Sequence, residues 1–470
     1  MMLTIRDHLP THHCQGYSRR EFLRVGAIGA GECSLAGLLH AKSRAAGSDI
    51  LRGRSVVLLF LQGGPPHIEF FDPKMSAPAE VHSVTGEIPT KLPGITFGST
   101  FPKLAAMADR FSIVRSYGSG QSGHTYGEVV SAGNPTGASI SSLYARVRGN
   151  NHPVTGLPTN VLLLPEAVKD GLKLGSNFET SALPTLTQPG SFGSTFAAFN
   201  PSGGGDLKRD MEMSIAPARL EDRRSLLQGL DQLRRQADSR GMLAGLDSYQ
   251  QQAFDIIARG VAEAFDLSKE SPSVVDRYDT SKLFKMEDLT RWFDMKRASN
   301  LLGRQMLLAR RLCEAGCGFV TVSDCGWDYH ANSNSPKRMA GIYPMGGQVD
   351  HAVSTFLEDV HERGLSDKIL LVVTGEMGRT PRLNNNGGRD HYGELTPMLL
   401  AGGGLKMGQV IGQSDRYAAK AVSDEYRPKH LMGTILHTLF DVGRLRLEPQ
   451  VPREIIRIAD TAETIAPLLA

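Results

Sequence analysis

The sequence predicts an α/β protein: a doubly wound, mostly parallel sheet flanked by helices, with a helical insertion. Three observations carry this. Short apolar runs rich in β-branched residues recur along the chain and open onto glycine-rich loops, as buried parallel strands do. Helical patterns lie between several of those runs. The 51 glycines and 25 prolines are too many for a helical bundle, and they gather between the runs, where site-bearing loops belong. A chain of 470 residues, 40% hydrophobic and 21% charged, has ordinary globular composition and can build one large core.

The first run, Ser55-Val56-Val57-Leu58-Leu59-Phe60-Leu61, is continuous and ends in Gln62-Gly63-Gly64-Pro65-Pro66. Further runs occupy residues 111–115, 160–164, 318–323, 369–374 and 398–401. Between about 216 and 316 the character changes to charged helical periodicity, over 220–235, 248–265 and 286–314. These segments predict helices that cover the sheet or cap it. Residues 201–205 read as a flexible loop, and no repeat of fixed period occurs. One domain over 47–470 follows, preceded by a leader over 1–46.

That leader has the grammar of an export signal. Ser18-Arg19-Arg20-Glu21-Phe22-Leu23 precedes a moderately apolar stretch over 25–39 and small residues around Ala45-Ala46, which resembles a twin-arginine signal. The expected location is the periplasm or cell surface. The apolar stretch is shorter than the ~20 residues of a membrane span, and no later segment supplies one. Removing residues 1–46 takes away six Lys/Arg and three Asp/Glu and leaves 46 of each (52 − 6 and 49 − 3). A neutral chain without a basic-aromatic platform gives no support for nucleic-acid binding. Outside the leader the cysteines are Cys313, Cys317 and Cys325, an odd count at helical spacing that suits buried thiols.

Four loops, each after a predicted strand, hold the candidate chemistry, since open α/β sheets gather ligands at that edge. The first carries His67 and Asp72, with Asp-Pro also compatible with a plain turn. The second runs Ser116-Tyr117-Gly118-Ser119-Gly120-Gln121-Ser122-Gly123-His124-Thr125 into a helix ending near Gly133. Free N–H groups there would favour a phosphate or sulfate, with a hydroxyl from Ser122 or Thr125, although Ser122 equally fits an N-cap. In the third loop, Asp328 and His330 stand two apart, so an extended chain turns both toward one cation or toward each other. The fourth carries Glu376 and Arg379, followed by Arg389-Asp390-His391. These offer metal ligands plus a guanidinium for an oxyanion, or an ion pair that ties loops together. No Gly-x-Ser-x-Gly elbow supports a Ser-His-Asp triad.

The succession Leu61-Gln62-Gly63-Gly64-Pro65-Pro66-His67, Val114-Arg115-Ser116, Ala309-Arg310-Arg311-Leu312, Gly326-Trp327-Asp328-Tyr329-His330, Glu376-Met377-Gly378-Arg379-Thr380-Pro381, Gly388-Arg389-Asp390-His391 and Ala401-Gly402-Gly403-Gly404 resembles the domain-of-unknown-function 1501 family across nearly the whole mature chain. That family is similar to the alkaline phosphatase, sulfatase and phosphopentomutase superfamily. The resemblance implies an alkaline-phosphatase-like core and an ester-cleaving ancestry with two metals. It departs from the superfamily pattern at Gln62-Gly63-Gly64, where an Asp is expected, at Glu376-Met377, where an Asp-His is expected, and in lacking a Cys-x-Pro-Ser-Arg motif. A reduced cluster of Asp328, His330, Glu376 and His391 on one divalent metal (zinc, calcium or manganese) follows as the expectation, with Asp390, His67, Asp72 and His124 as further members. The implied activity is hydrolysis of a phosphate or sulfate ester, including one on a polysaccharide. The alternative is a non-catalytic relative that binds an anionic ligand or partner.

Overall fold

The computed structural model describes residues 50–202, 261–290, 295–332 and 335–469, so the leader and the expected helices over 220–235 and 248–260 lie outside the described residues. The elements below belong to the unit that begins at Arg52. Its strands in chain order are β1 Ser55–Gln62, β2 Glu87–Pro89, β3 Thr96–Gly98, β4 Ser112–Val114, β5 Asn160–Leu163, β6 Phe319–Cys325, β7 Ile369–Gly375, β8 Gly378–Arg379, β9 His391–Tyr392, β10 Leu399–Gly402 and β11 Val410–Ile411. All six expected runs are strands. The short β2–β3 and β8–β9 hairpins and the two-residue β11 are additions too short to carry a periodicity of their own.

Seven strands form the central sheet in the order β11-β4-β10-β7-β1-β6-β5. β1 pairs in parallel with β6 and β7, β6 with β5, and β4 with β11, whereas β10 runs antiparallel to both its neighbours. The chain leaves β1 toward β4 on one side and toward β5 and β6 on the other, so β1 lies where strand order reverses. Loops leaving adjacent strand ends diverge at such a point and leave a crevice.

β1 is apolar from Val56 to Leu61 because both of its faces are covered. Val57, Leu59 and Leu61 enter the core beneath the helices Leu302–Glu314 and Ile342–Glu362. Val56, Leu58 and Phe60 alternate to the opposite face, where the helix Pro428–Leu439 packs. Each of these side chains is 4% exposed or less, and full burial of one contributes about 1.5–3 kcal/mol. Leu302–Glu314 falls within the expected 286–314 helix and lies on the sheet, with Met286–Thr290 and a short turn at Met295–Arg297 before it. Cys313, Cys317 and Cys325 are free, buried thiols, as their spacing suggested. Among the described residues no helix is long and apolar enough to cross a membrane.

Strand register sets the site. Gln62 pairs with Cys325 and Leu61 with Gly375, so β1, β6 and β7 end level with one another. The loops that follow therefore start from one edge: Gly63-Gly64 from β1, Asp328 and His330 from β6, Glu376 from β7.

Candidate metal centre at the sheet edge

Gly63 is the hub of this edge. Its φ of +114° suits glycine, and a Cβ there would lie 2.5 Å from both the backbone nitrogen of Asp328 and Oε1 of Glu179. Its N–H donates to Glu376 Oε1 at 2.8 Å, so the β1 loop holds the carboxylate that β7 delivers. Arg379 locks the other side, donating from Nε to Gly64 O at 2.9 Å and from Nη2 to Gly63 O and Asp328 Oδ1.

Three imidazoles converge on Asp328. Nε2 of His330 is 3.2 Å from Asp328 Oδ1, that of His391 3.4 Å and that of His124 4.0 Å. Nδ1 of each ring faces an acceptor: Glu376 Oε1 at 2.8 Å for His124, Asp390 Oδ1 at 2.7 Å for His330, and the Ser122 carbonyl at 3.2 Å for His391. An acceptor at Nδ1 requires the N–H there, which leaves the Nε2 lone pair of a neutral ring turned to the centre. Metal-binding histidines are oriented in this way.

The donor set also fits a cation by its crowding. A carboxylate oxygen offers about two lone-pair sites, yet Asp328 Oδ1 faces three imidazole nitrogens and a guanidinium. A cation that took the imidazole lone pairs would resolve this. His124, Asp328 and His391 alone bring ligand atoms within 4.8 Å of one another. Glu376 Oε2 and Glu179 Oε1 are buried without a hydrogen-bond partner, which leaves two carboxyl oxygens uncommitted as acceptors nearby. Burial acts to raise the Asp328 carboxyl, but the His330 and His391 imidazoles that face it and the Arg379 charge outweigh that and, with no cation between them, hold it well below the carboxylate range. His330 is raised, first by its bond to Asp328. Glu179 goes the other way: burial pushes it up to about 7 despite the Arg297 charge beside it.

The expected set thus comes together with its roles redistributed. Asp328, His330 and His391 meet at this edge, and His124, expected as a further member of the cluster, joins them. Glu376 and Asp390 sit one bond behind as orienting acceptors. Arg379 and Arg389, expected at an oxyanion, are fully buried and committed to protein partners. Arg389 pairs with Glu69 at 3.0 Å and donates to the carbonyls of Val81, His82, Thr380 and Pro381. It is the ion pair that ties loops together. His67 and Asp72 bind elsewhere: His67 Nε2 meets Ala418 O at 2.9 Å, and Asp72 takes Lys74, Arg115 and Ser414.

Ser122 and Thr125 are exposed, and the helix after them is only Tyr126–Ser131, with Thr125 at its N-cap donating its hydroxyl to Gln121 Oε1 at 3.1 Å and making no capping bond. Neither the Ser122 cap nor a long helix dipole is present, so anion capture there has no helical basis. Glu179 and Arg297 were not foreseen. Both are buried and paired across 118 residues, and their one local signal is the Asn177…Thr180 capping box beside Glu179.

Fold and site define an α/β protein with a histidine-carboxylate centre at the switch point of its sheet. The chain belongs to the family described as protein of unknown function (DUF1501), which matches residues 53–450. No curated protein matches it. Similar solved structures include Ps i-CgsB with k-i-k-neocarrahexaose, at 10% identity and TM-score 0.34, covering 82% of this chain and 71% of that one. PsFucS1 sulfatase from Pseudoalteromonas sp. has 12% identity, TM-score 0.30, and coverage of 80% and 69%. The lipoteichoic acid synthase LtaP from Listeria monocytogenes has 9% identity, TM-score 0.27, and coverage of 85% and 77%. Likeness at this level says nothing of substrate or chemistry.

Proposed function

We propose that the chain is a metal-dependent hydrolase of phosphate or sulfate esters, including esters on polysaccharides, exported by the twin-arginine route. The observation that carries this is the convergence of three Nε2 atoms on Asp328 while each Nδ1 is held by an acceptor. His124, His330, His391 and Asp328 would hold the cation. Imidazole-rich ligation suits zinc better than manganese, and calcium, which takes oxygen ligands, least. A divalent cation there would polarise an ester oxygen and make a bound water acidic.

The chain's own residues supply the positioning. Arg379 fixes Asp328 and the Gly63-Gly64 loop, while Glu376 and Asp390 set two imidazole tautomers. With both arginines committed, neither is free to meet the ester, so charge neutralisation would fall to the cation. The exposed Ser122 hydroxyl, next to the carbonyl that holds His391, is the candidate nucleophile.

Elemental analysis of protein purified without chelators, with turnover of activated aryl phosphate and aryl sulfate, tests this. His391→Ala is expected to lose metal and hydrolysis together, because ligands act as a unit, and Ser122→Ala to lose turnover with metal retained. A folded wild type that is metal-free and inert to both esters would sink the hydrolase reading in favour of the alternative, a non-catalytic binder of an anionic ligand. Gln62 favours that alternative: it is a buried amide where the superfamily pattern has a carboxylate, and Ser323 and Cys325 occupy its Oε1. Changing Arg19 and Arg20 to Lys is expected to retain the precursor in the cytoplasm, and unchanged export would remove that assignment.

A further inference from the structure

Phe178 stands out at the rim of the centre. Its ring remains 39% exposed, although the other rings near the site are more deeply packed. It lies 4.6 Å from the His124 ring with the planes 41° apart. His124 is in turn 4.7 Å from His391, and His391 is 4.6 Å from His330. The four rings form one row, with the imidazoles over Asp328 and the phenyl ring at the open end.

The position of Phe178 is braced. Its neighbour Glu179 turns inward to a buried pair with Arg297, in which both side chains are 0% exposed. Asn177 Oδ1 accepts from Thr180 N at 3.0 Å, and Asn177 N donates to Thr180 Oγ1 at 2.8 Å. Moving the backbone at Phe178 would break a buried ion pair and a capping box, and breaking such a pair is strongly destabilising. The Phe178 ring thus springs from a fixed point and rests against His124, one ring away from a polar centre. Ligand sites commonly combine a few convergent polar groups with an aromatic wall of this kind.

We propose that Phe178 is the platform for the ring that carries the ester, so that the site selects ring-bearing phosphate or sulfate esters over open-chain ones. This rests on the hydrolase reading above. An ester group held over the Asp328 cluster would bring its substituent within reach of Phe178, which touches the cluster through His124. The shared chemistry is a flat apolar ring face, aromatic or saturated, and the saturated case includes the C–H face of a sugar.

Binding of phenylphosphonate, cyclohexylphosphonate and methylphosphonate to the zinc-loaded full chain by calorimetry tests this with non-hydrolysable probes. Wild type is expected to bind one or both ring phosphonates about 3- to 10-fold tighter than methylphosphonate, the contribution of a ring contact. Phe178→Ala is expected to bring them down to the methylphosphonate affinity while leaving that affinity and the bound zinc unchanged, and Phe178→Trp to restore the preference. Preference for phenyl alone would assign an aromatic substituent, and equal preference for cyclohexyl a saturated ring. Methylphosphonate binding with no ring preference, or a preference that survives Phe178→Ala, overturns the platform and leaves the hydrolase reading standing. Failure of zinc, manganese and calcium alike to load, or of both methylphosphonate and methanesulfonate to bind the loaded chain, overturns the hydrolase reading and this inference with it.

Discussion

Replacing Gly63 by alanine tests whether the three loops meet as tightly as the geometry requires. Two costs add. A φ of +114° strains any residue with a Cβ, by about 1–3 kcal/mol. The added carbon would lie 2.5 Å from Asp328 N and 2.7 Å from Trp327 C, both backbone atoms, and 2.5 Å from Glu179 Oε1. Backbone atoms yield little, and overpacking of this kind costs about 1–3 kcal/mol. The sum is about 4 kcal/mol, a large share of a typical domain's stability. Gly53→Ala is the internal control: φ is +64° and nothing lies within 4 Å, so only the backbone term, about 1–2 kcal/mol, remains. Urea unfolding of both variants and wild type reads the difference, provided the denaturant slope is unchanged. Metal content gives a second reading, because the displaced Asp328 backbone carries the central carboxylate. If Gly63→Ala is no more than about 1 kcal/mol less stable than Gly53→Ala, the crowding at the hub is not real and the convergence argument fails with it.

Glu376→Gln removes the carboxylate behind His124 and is expected to weaken metal binding about 10- to 100-fold with the fold retained; unchanged affinity in a chelator competition would deny Glu376 its orienting role. Glu69→Gln leaves the buried Arg389 guanidinium without its counter-charge and is expected to lower unfolding stability by about 3–5 kcal/mol, which urea titration would show and a change under about 1 kcal/mol would contradict. His67 gives a pH signature. Burial lowers its pKa from 6.5 to about 4, with Arg389 and Lys74 adding to the effect and the Ala418 carbonyl and Asp72 opposing it. Between those values the unfolded chain binds the proton more readily, so stability falls as pH drops from 6.5 toward 4, by about 3 kcal/mol at about 1.4 kcal/mol per pH unit. His67→Gln is expected to flatten that slope, and curves for the two proteins that stay parallel across the window would exclude it.

The sheet was legible in the sequence because a parallel strand buried on both faces is dominated by apolar residues: β1 is apolar from Val56 to Leu61, β7 from Ile369 to Val373, and β6, buried at every position, keeps an apolar run around Thr321 and Ser323. β8 and β9 impose no such pattern: two residues each, held by a cross-strand pairing of Arg379 with His391, they follow from tertiary contacts alone. The candidate residues were legible one by one, since Asp328 and His330 follow the end of β6, Glu376 that of β7, and His124 and His391 lie in the segments beyond β4 and β7. Their division of labour was not, because it depends on which nitrogen of each ring finds an acceptor, and those acceptors come from 252, 60 and 269 positions away. The arginines show the limit most directly. Arg379 and Arg389 look equivalent as candidate anion binders, and composition cannot distinguish a guanidinium facing solvent from one surrounded by carbonyls. The fold decides by where the carboxylates lie: Glu69, on the turn after β1, takes Arg389, and Asp328, after β6, takes Arg379. With both cations spent on holding loops, three imidazoles and one carboxylate remain at the crevice, and that leftover set, rather than any single motif, defines the chemistry the site can support.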